Sequence, residues 1–358
     1  MALTIKDIAK KCGVGVSTVS RALNNHPDIN KETREKILKA VEEDGFIPNN
    51  SARNLKRTDS KTVAIIVKDI DNPFFATMMR VMEEEIHQEH YTFFIQHVGD
   101  KQNEVDAALE LVKEKRLRGL IFLGGYFQGQ EERLGRIKVP FVVSTAELPD
   151  IPDKETCSFI TIDNEQESFY MVEHLCKKGH KKIAILAAAK DDCNIGRMRL
   201  EGYKRALAEY KIPLHKTLIR HLDKNHAEYS MENGYQLMKE LLKEGTTFTA
   251  VYAISDLMAI GALRALHEAG RKVPEECAVA GFDGLSYTAY YIPSVTTVVQ
   301  PVEEMAKESV KSLFQMIESK KGVPGKILPA RLAERQSTLG TGPNASGPVP
   351  VYNSEVKR

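Results

Sequence analysis

No stretch of this 358-residue chain is apolar over the roughly 18 residues that a membrane-spanning helix needs; runs such as residues 63–67 and 120–123 are far shorter. A membrane protein is excluded on that reading. The N-terminus, MALTIKDIAKKCG, interrupts its apolar residues with charges, so a secretory leader is not expected and the protein is placed in the cytoplasm. The five cysteines (Cys12, Cys157, Cys176, Cys193, Cys277) are odd in number and scattered, without C-x-x-C or Cys/His pairs at zinc spacing. Neither a disulfide framework nor a metal site is expected. Net charge is nearly absent at +1. Its distribution is uneven: residues 1–61 hold 12 basic and 8 acidic residues, against 38 and 41 in the remainder. A small cationic N-terminal segment could face phosphates.

Catalytic signatures are missing too. There is no G-x-x-x-x-G-K-[ST], no G-x-S-x-G and no H-E-x-x-H. The first strand, 62–68, is followed by Asp-Ile-Asp-Asn-Pro-Phe-Phe, which offers no glycine for a pyrophosphate to approach the backbone, and Gly124-Gly125 and Gly281 stand isolated. A nicotinamide dehydrogenase is thereby disfavoured, and no enzyme and no cofactor are expected.

What is present is alternation. Strands are predicted at 62–68, 91–98, 118–123, 141–145, 182–188, 217–221, 249–254 and 277–282. Helical periodicity falls at 74–89, 104–115, 165–177, 199–210, 229–243 and 257–269. Such order implies parallel sheets flanked by helices. The run also nearly repeats, since KTVAIIV at 61–67 resembles KKIAILA at 181–187. Two similar α/β lobes with a ligand cleft at the carboxyl ends of their strands are the simplest account. Phe74, Asp163, Arg199, Asp256 and Asp283 all fall near strand ends or helix starts, where a small polar ligand would sit.

The first sixty residues differ. Thr4 can cap a short helix with Asp7 as the acidic member of a capping box, Ile5, Ile8, Ala9 and Cys12 form its apolar face, and Gly13 breaks it. A second helix to Leu23 turns Val19, Ala22 and Leu23 inward and leaves Ser17, Thr18, Ser20 and Arg21 outside. A third helix begins after Asn30, with Ile37, Leu38 and Val41 apolar and Gly45 at its end.

With TIKDIAKKCGVGVSTVSRALN at 4–24 the chain resembles the LacI/GalR family of bacterial repressors. The match continues through TREKI, GFIPN, SARNLK, NPFF, TID, GHKKIA, RLEGY, SDLMAIGAL, GFD and TTVVQP, in order, across residues 4–339. The resemblance implies an N-terminal all-α helix-turn-helix domain (1–46), a hinge (47–61), a two-lobe periplasmic-binding-protein-like α/β domain with parallel sheets (62–340) and a disordered tail (341–358). It implies that Val16 and Ser17, with Arg21 beside them, read base edges in the major groove, and that Thr4, Thr18, Ser20, Asn24 and Thr33 anchor phosphates. In the competing reading Val16 packs the turn and Arg21 only neutralises phosphate. In the hinge, Asn49, Ala52 and Arg53 match DNA-contacting positions and Leu55 the minor-groove wedge, against the alternative of an inconsequential linker leucine.

For the cleft the resemblance implies that Arg199, Asp283 and Gln300 bind effector, with Phe74 and Asp163 on the opposite lobe and Tyr229 stacking. Asp256 belongs to the same set. A sugar or sugar phosphate is the expected ligand. The competing reading makes Asp163 and Asp256 helix caps and Phe74 a lobe-packing residue. Departures from the family pattern are the loop 187–195, without serine or arginine, Ser255, and Gly284 after Asp283. The last 19 residues carry three prolines and no leucine heptad, so no tetramerising coiled coil is expected. The expected protein is a homodimeric repressor on a near-palindromic operator. Two alternatives are a periplasmic-type sugar-binding protein and a catabolite-control regulator with a phosphocarrier protein docked on the helix after Gln300.

Overall fold

A computed structural model describes residues 4–23, 28–44, 61–99, 102–151, 155–222, 228–339 and 351–352. The chain divides into two compact units, Met1–Ser60 and Lys61–Arg358.

In the smaller unit three short helices share one core. Helix α1 (Ile5–Cys12) starts at Thr4, whose backbone N–H and hydroxyl both donate to the Asp7 carboxylate, at 2.9 and 2.6 Å. It ends because Gly13 takes φ 67°, a left-handed conformation that only glycine adopts freely, which lets the Val14 N–H reach the Ala9 carbonyl at 3.0 Å. Helix α2 (Val16–Leu23) opens on the Gly15 carbonyl, which accepts from the N–H groups of Thr18 and Val19. Helix α3 (Lys31–Glu43) is capped by Asn30, whose side chain accepts from the Glu32 N–H at 2.9 Å. Ile8, Ala9, Cys12, Val19, Ala22, Ile37 and Ala40 are buried together. So small a core leaves the caps a large share of the stability.

The larger unit holds two parallel sheets. One orders β11-β5-β4-β3-β1-β2, from strands β1 (Thr62–Lys68), β2 (Thr92–Val98), β3 (Gly119–Leu123), β4 (Phe141–Ser144), β5 (Cys157–Ile162) and β11 (Lys326–Leu328). The other orders β13-β12-β10-β9-β8-β6-β7, from β6 (Ile183–Ala187), β7 (Ile219–His221), β8 (Ala250–Ala253), β9 (Ala278–Asp283), β10 (Thr296–Val299), β12 (Arg331–Ala333) and β13 (Val351–Tyr352). Among the described residues only the ladders β10–β12 and β12–β13 are antiparallel, so β12 alone runs against its sheet. The central strands are near-continuous apolar runs, as Val63–Val67 in β1 illustrates, because helices cover both faces.

The helices are α4 (Pro73–Gln88), α5 (Glu104–Glu114), α6 (Glu131–Leu134), α7 (Asn164–Lys177), α8 (Ile195–Glu209), α9 (Met231–Lys243), α10 (Asp256–Glu268), α11 (Val302–Ser319) and α12 (Gln336–Leu339). Helix α11 follows β10 of the second sheet but packs on α4, β3, β4 and β5, so it belongs to the first lobe. Within the described residues the chain therefore passes between lobes three times: from β5 to α7, from β10 to α11, and from β11 to β12. A disordered tail was expected for 341–358. Val351 and Tyr352 instead pair with Ala333 and Leu332, because the open edge of β12 offers ladder partners.

Candidate functional site

On the smaller unit, α2 presents one face to the core through Val19 and Ala22 and another outward. Val16 is 41% exposed, and Ser17 and Arg21 are exposed beside it. Val16 is thus not consumed by packing the turn. Thr4 is exposed at the α1 N-terminus; Thr18, Ser20 and Thr33 are half-buried. Asn24, Asn49, Ala52, Arg53 and Leu55 lie outside the described residues.

In the larger unit a cavity of about 380 Å³ opens between the lobes at the carboxyl ends of both sheets, lined by Phe74, Arg199, Tyr229, Asp283 and Gln300 among others. Arg199, on the first turns of α8, is only 3% exposed. Its Nε donates to Asn164 Oδ1 at 3.0 Å and its Nη1 to the Ile254 carbonyl at 2.6 Å, while the guanidinium stacks 3.7 Å from the Phe282 ring centre. Nη1 also lies 3.5 Å from Asp283 Oδ1. Gln300 Nε2 donates to that same oxygen at 2.9 Å. Burial pushes the Asp283 carboxyl above the ordinary range, and Arg199 and Gln300 oppose the push. Two oppositely charged groups and an amide are held together here, away from water.

Backbone geometry aims Asp283 into the cavity. Its φ is 119°, a conformation that L residues seldom adopt, and Gly284 follows at φ 81° with a Cβ position only 2.6 Å from Val299 Cα. No side chain fits at Gly284 in this conformation. The turn is pinned by Asp256, whose Oδ2 accepts from the N–H groups of Gly284 and Leu285 at 2.9 and 2.7 Å. Asp256 is fully buried outside the cavity, with its carboxyl raised by burial and by the nearby Asp283 charge. It is a positioning residue behind the cleft, and the helix cap is Ser255, which accepts from the Met258 N–H.

Asp163 likewise does not line the cavity: it is exposed and caps α7, accepting from the Gln166 N–H at 2.9 Å. The capping reading describes it. Phe74 is 4% exposed, packs edge-on to Phe75 at 5.6 Å between ring centres and also lines the cavity, so its two readings coexist. Tyr229 is half-buried with φ 56°; burial and then the Asp192 carboxylate hold its phenol well above the usual range, so it is a neutral hydroxyl.

Several lining residues carry no pattern that marks them in the sequence. Lys68 leaves β1 and donates to the carbonyls of Gln102 and Gly99 at 2.8 and 3.3 Å, with its Nζ 3.7 Å from Glu104. Glu104 is 2% exposed and accepts from the Tyr126 N–H. Gly125, at φ 117°, places its Cβ position 2.8 Å from Glu104, so the Gly124-Gly125 pair lets the loop lie across that carboxylate. Among the described residues two hydrogen bonds then join the lobes at this end: Tyr126 Oη donates to Glu228, and Asn194 Nδ2 donates to the Gly125 carbonyl at 2.6 Å. A glycine pair after a strand, with an acidic helix start twenty residues before it, was the signal available.

Residues 4–49 match the bacterial regulatory proteins of the lacI family, and residues 172–338 match the periplasmic binding protein-like domain. The HTH-type transcriptional regulator MalR of Clostridium butyricum is 39% identical over 337 residues, 94% of this chain and 99% of that protein. Among solved structures, the Lac repressor dimer bound to operator and the anti-inducer ONPF superposes with a TM-score of 0.77 at 26% identity, covering 94% of this chain and 99% of that one. A transcriptional regulator CelR–cellobiose complex gives 0.69 at 29% identity, with coverage of 94% and 99%. The chain belongs to the LacI family of bacterial DNA-binding transcriptional regulators. No described helix is long and apolar enough to cross a membrane.

Proposed function

We propose that this regulator is a repressor whose operator affinity is set by a sugar held between the lobes of the larger unit. The observation that carries the reading is the buried array of Arg199, Asp283 and Gln300 on a cavity bounded by Phe74 and Tyr229. A guanidinium, a carboxylate and an amide at fixed separation hydrogen-bond vicinal hydroxyls, and aromatic rings cover the apolar face of a pyranose. The cellobiose held by the CelR relative supports the same class. The cleft serves binding rather than catalysis, and the protein acts in the cytoplasm as a homodimer on a near-palindromic operator. On DNA, Val16, Ser17 and Arg21 read base edges, Thr4, Thr18, Ser20 and Thr33 hold phosphates, and the exposure of the first three supports this division.

The alternative of a phosphocarrier docked on α11 finds Lys307 and Lys311 there and no arginine, and Lys311 is 3.7 Å from Glu308. The cleft favours the small ligand. Operator titration of the full chain with and without a sugar panel tests the proposal. A sugar that binds must change operator affinity, and that affinity must fall steeply with salt as counterions are released. Bound sugar without any change in operator affinity refutes it.

A further inference from the structure

Three cavities share walls along the seam between the lobes. The central one shares Tyr126, Glu228 and Tyr229 with a cavity of about 150 Å³ at one end. At the other end it shares Phe74, Asp283 and Gln300 with a groove of about 530 Å³. The two ends are built differently. The Tyr126–Glu228 and Asn194–Gly125 hydrogen bonds close the first. At the second, among the described residues, no hydrogen bond joins the start of α4 to the turn at 284–287, and Thr77 and Ser286 on its two walls are exposed.

We infer that the groove is a second sugar subsite, so that the ligand is a neutral saccharide of at least two rings, threaded from the Arg199 array out past Phe74. This inference rests on the sugar reading above. Phe74 and Tyr287 line it with aromatic rings, and Thr77 and Ser286 offer exposed hydroxyls. Among the described residues the charges of the groove all have one sign: Asp283, Glu303 and Glu304 line it, and no lysine or arginine does. Arg80, 3.6 Å from Glu303, offsets part of that charge from outside the lining. Acceptor carboxylates suit sugar hydroxyls and repel a phosphate, so a phosphorylated sugar is disfavoured at this end. The walls come from different lobes, Phe74 and Thr77 from the first and residues 284–287 from the second. A ring in the groove therefore adds contacts that exist only in one lobe arrangement.

Calorimetric titration of the full chain with glucose, galactose, maltose, cellobiose, lactose, maltotriose and glucose 6-phosphate tests the inference. At least one neutral disaccharide is expected to bind ten-fold or more tighter than either monosaccharide, and glucose 6-phosphate no tighter than glucose. Thr77→Trp and Ser286→Trp, at exposed positions away from the central array, should reduce that preference to within about two-fold while leaving monosaccharide affinity unchanged; operator binding of each variant verifies its fold. Equal affinity for one and two rings overturns the subsite and leaves the sugar reading standing, as does an equal loss for both ligand lengths in the tryptophan variants. No binding by any saccharide overturns both.

Discussion

Arg199→Ala should unfold the larger unit more easily, and by an amount that depends on pH. The guanidinium is 3% exposed and serves Asn164, the Ile254 carbonyl and Asp283 at once. Its removal leaves the Asp283 charge buried with Gln300 as its remaining donor among those contacts, and breaking a buried ion pair in this way costs about 3–5 kcal/mol. Burial already raises Asp283, and Arg199 is the largest influence pulling it down, so the variant's Asp283 moves higher still. An unfolded aspartate titrates near about 3.9. Between that value and the raised folded value, the folded state binds a proton that the unfolded state does not, so stability climbs as pH falls. Each tenfold further weakening of the Asp283 acid in the variant returns about 1.4 kcal/mol at low pH.

Urea unfolding followed by far-UV circular dichroism is the suitable assay, because the chain has no tryptophan. The gap between wild type and variant should be about 3–5 kcal/mol at pH 8 and should narrow by about 1–3 kcal/mol at pH 5.5. Asp283→Asn in the Arg199→Ala background should remove the Asp283 share of the variant's own pH dependence. A cost below about 1 kcal/mol, or a gap that does not change with pH, refutes the burial argument.

Tyr126→Phe and Asn194→Ala each delete one hydrogen bond across the closed end of the seam, worth about 0.5–1.5 kcal/mol. Sugar affinity should fall about two- to ten-fold per variant, with lobe separation measured by paired dyes increasing in parallel; unchanged affinity in the double variant would show that the two bonds do not hold the lobes. Gly261→Ala places a methyl 2.0 Å from the Met231 carbonyl and 2.6 Å from the Tyr235 nitrogen, where α9 and α10 touch backbone to backbone. Overpacking of that kind costs about 1–3 kcal/mol, and a urea midpoint equal to wild type would contradict the close approach.

Local signals made the small unit legible. The Thr4–Asp7 contact, the Gly13 stop and the Asn30 cap act within a few residues, so residue type and spacing suffice to place them. In the larger unit β1 and β6 are apolar runs bounded by lysines and read directly. The three-residue strands β11 and β12 exist because partners elsewhere in the chain present open edges, and nothing inside Lys-Ile-Leu or Arg-Leu-Ala encodes that. Strands β5 and β10 were not among the predicted strands, although the Thr-Thr-Val-Val run of β10 is β-branched throughout and carried a usable signal. The cleft divides the same way. Resemblance located Arg199, Asp283, Gln300, Phe74 and Tyr229, but Asp163 and Asp256 both start helices after strands, and only the fold separates a cap from a residue that braces a turn 28 positions away. Tyr126, Glu228 and Asn194 meet across 69 and 102 residues of chain through the approach of two lobes, which no pattern within either lobe specifies.

Gln300 has a position that ties recognition to movement. It stands directly after β10, in one of the three segments that pass between lobes, and its side chain holds Asp283 while its backbone N–H donates to the Asp283 carbonyl at 3.2 Å. A ligand that contacts Gln300 and Asp283 therefore acts on a lobe connection as well as on the cavity wall. Moving a two-state equilibrium from 1:99 to 99:1 requires about 5.5 kcal/mol of differential affinity. The two hydrogen bonds at the closed end supply about 1–3 kcal/mol between them, too little to set the arrangement alone. The larger share must come from a ligand that touches Arg199 and Asp283 on one lobe and Phe74 on the other, because contacts confined to one lobe are equal in both arrangements and shift nothing.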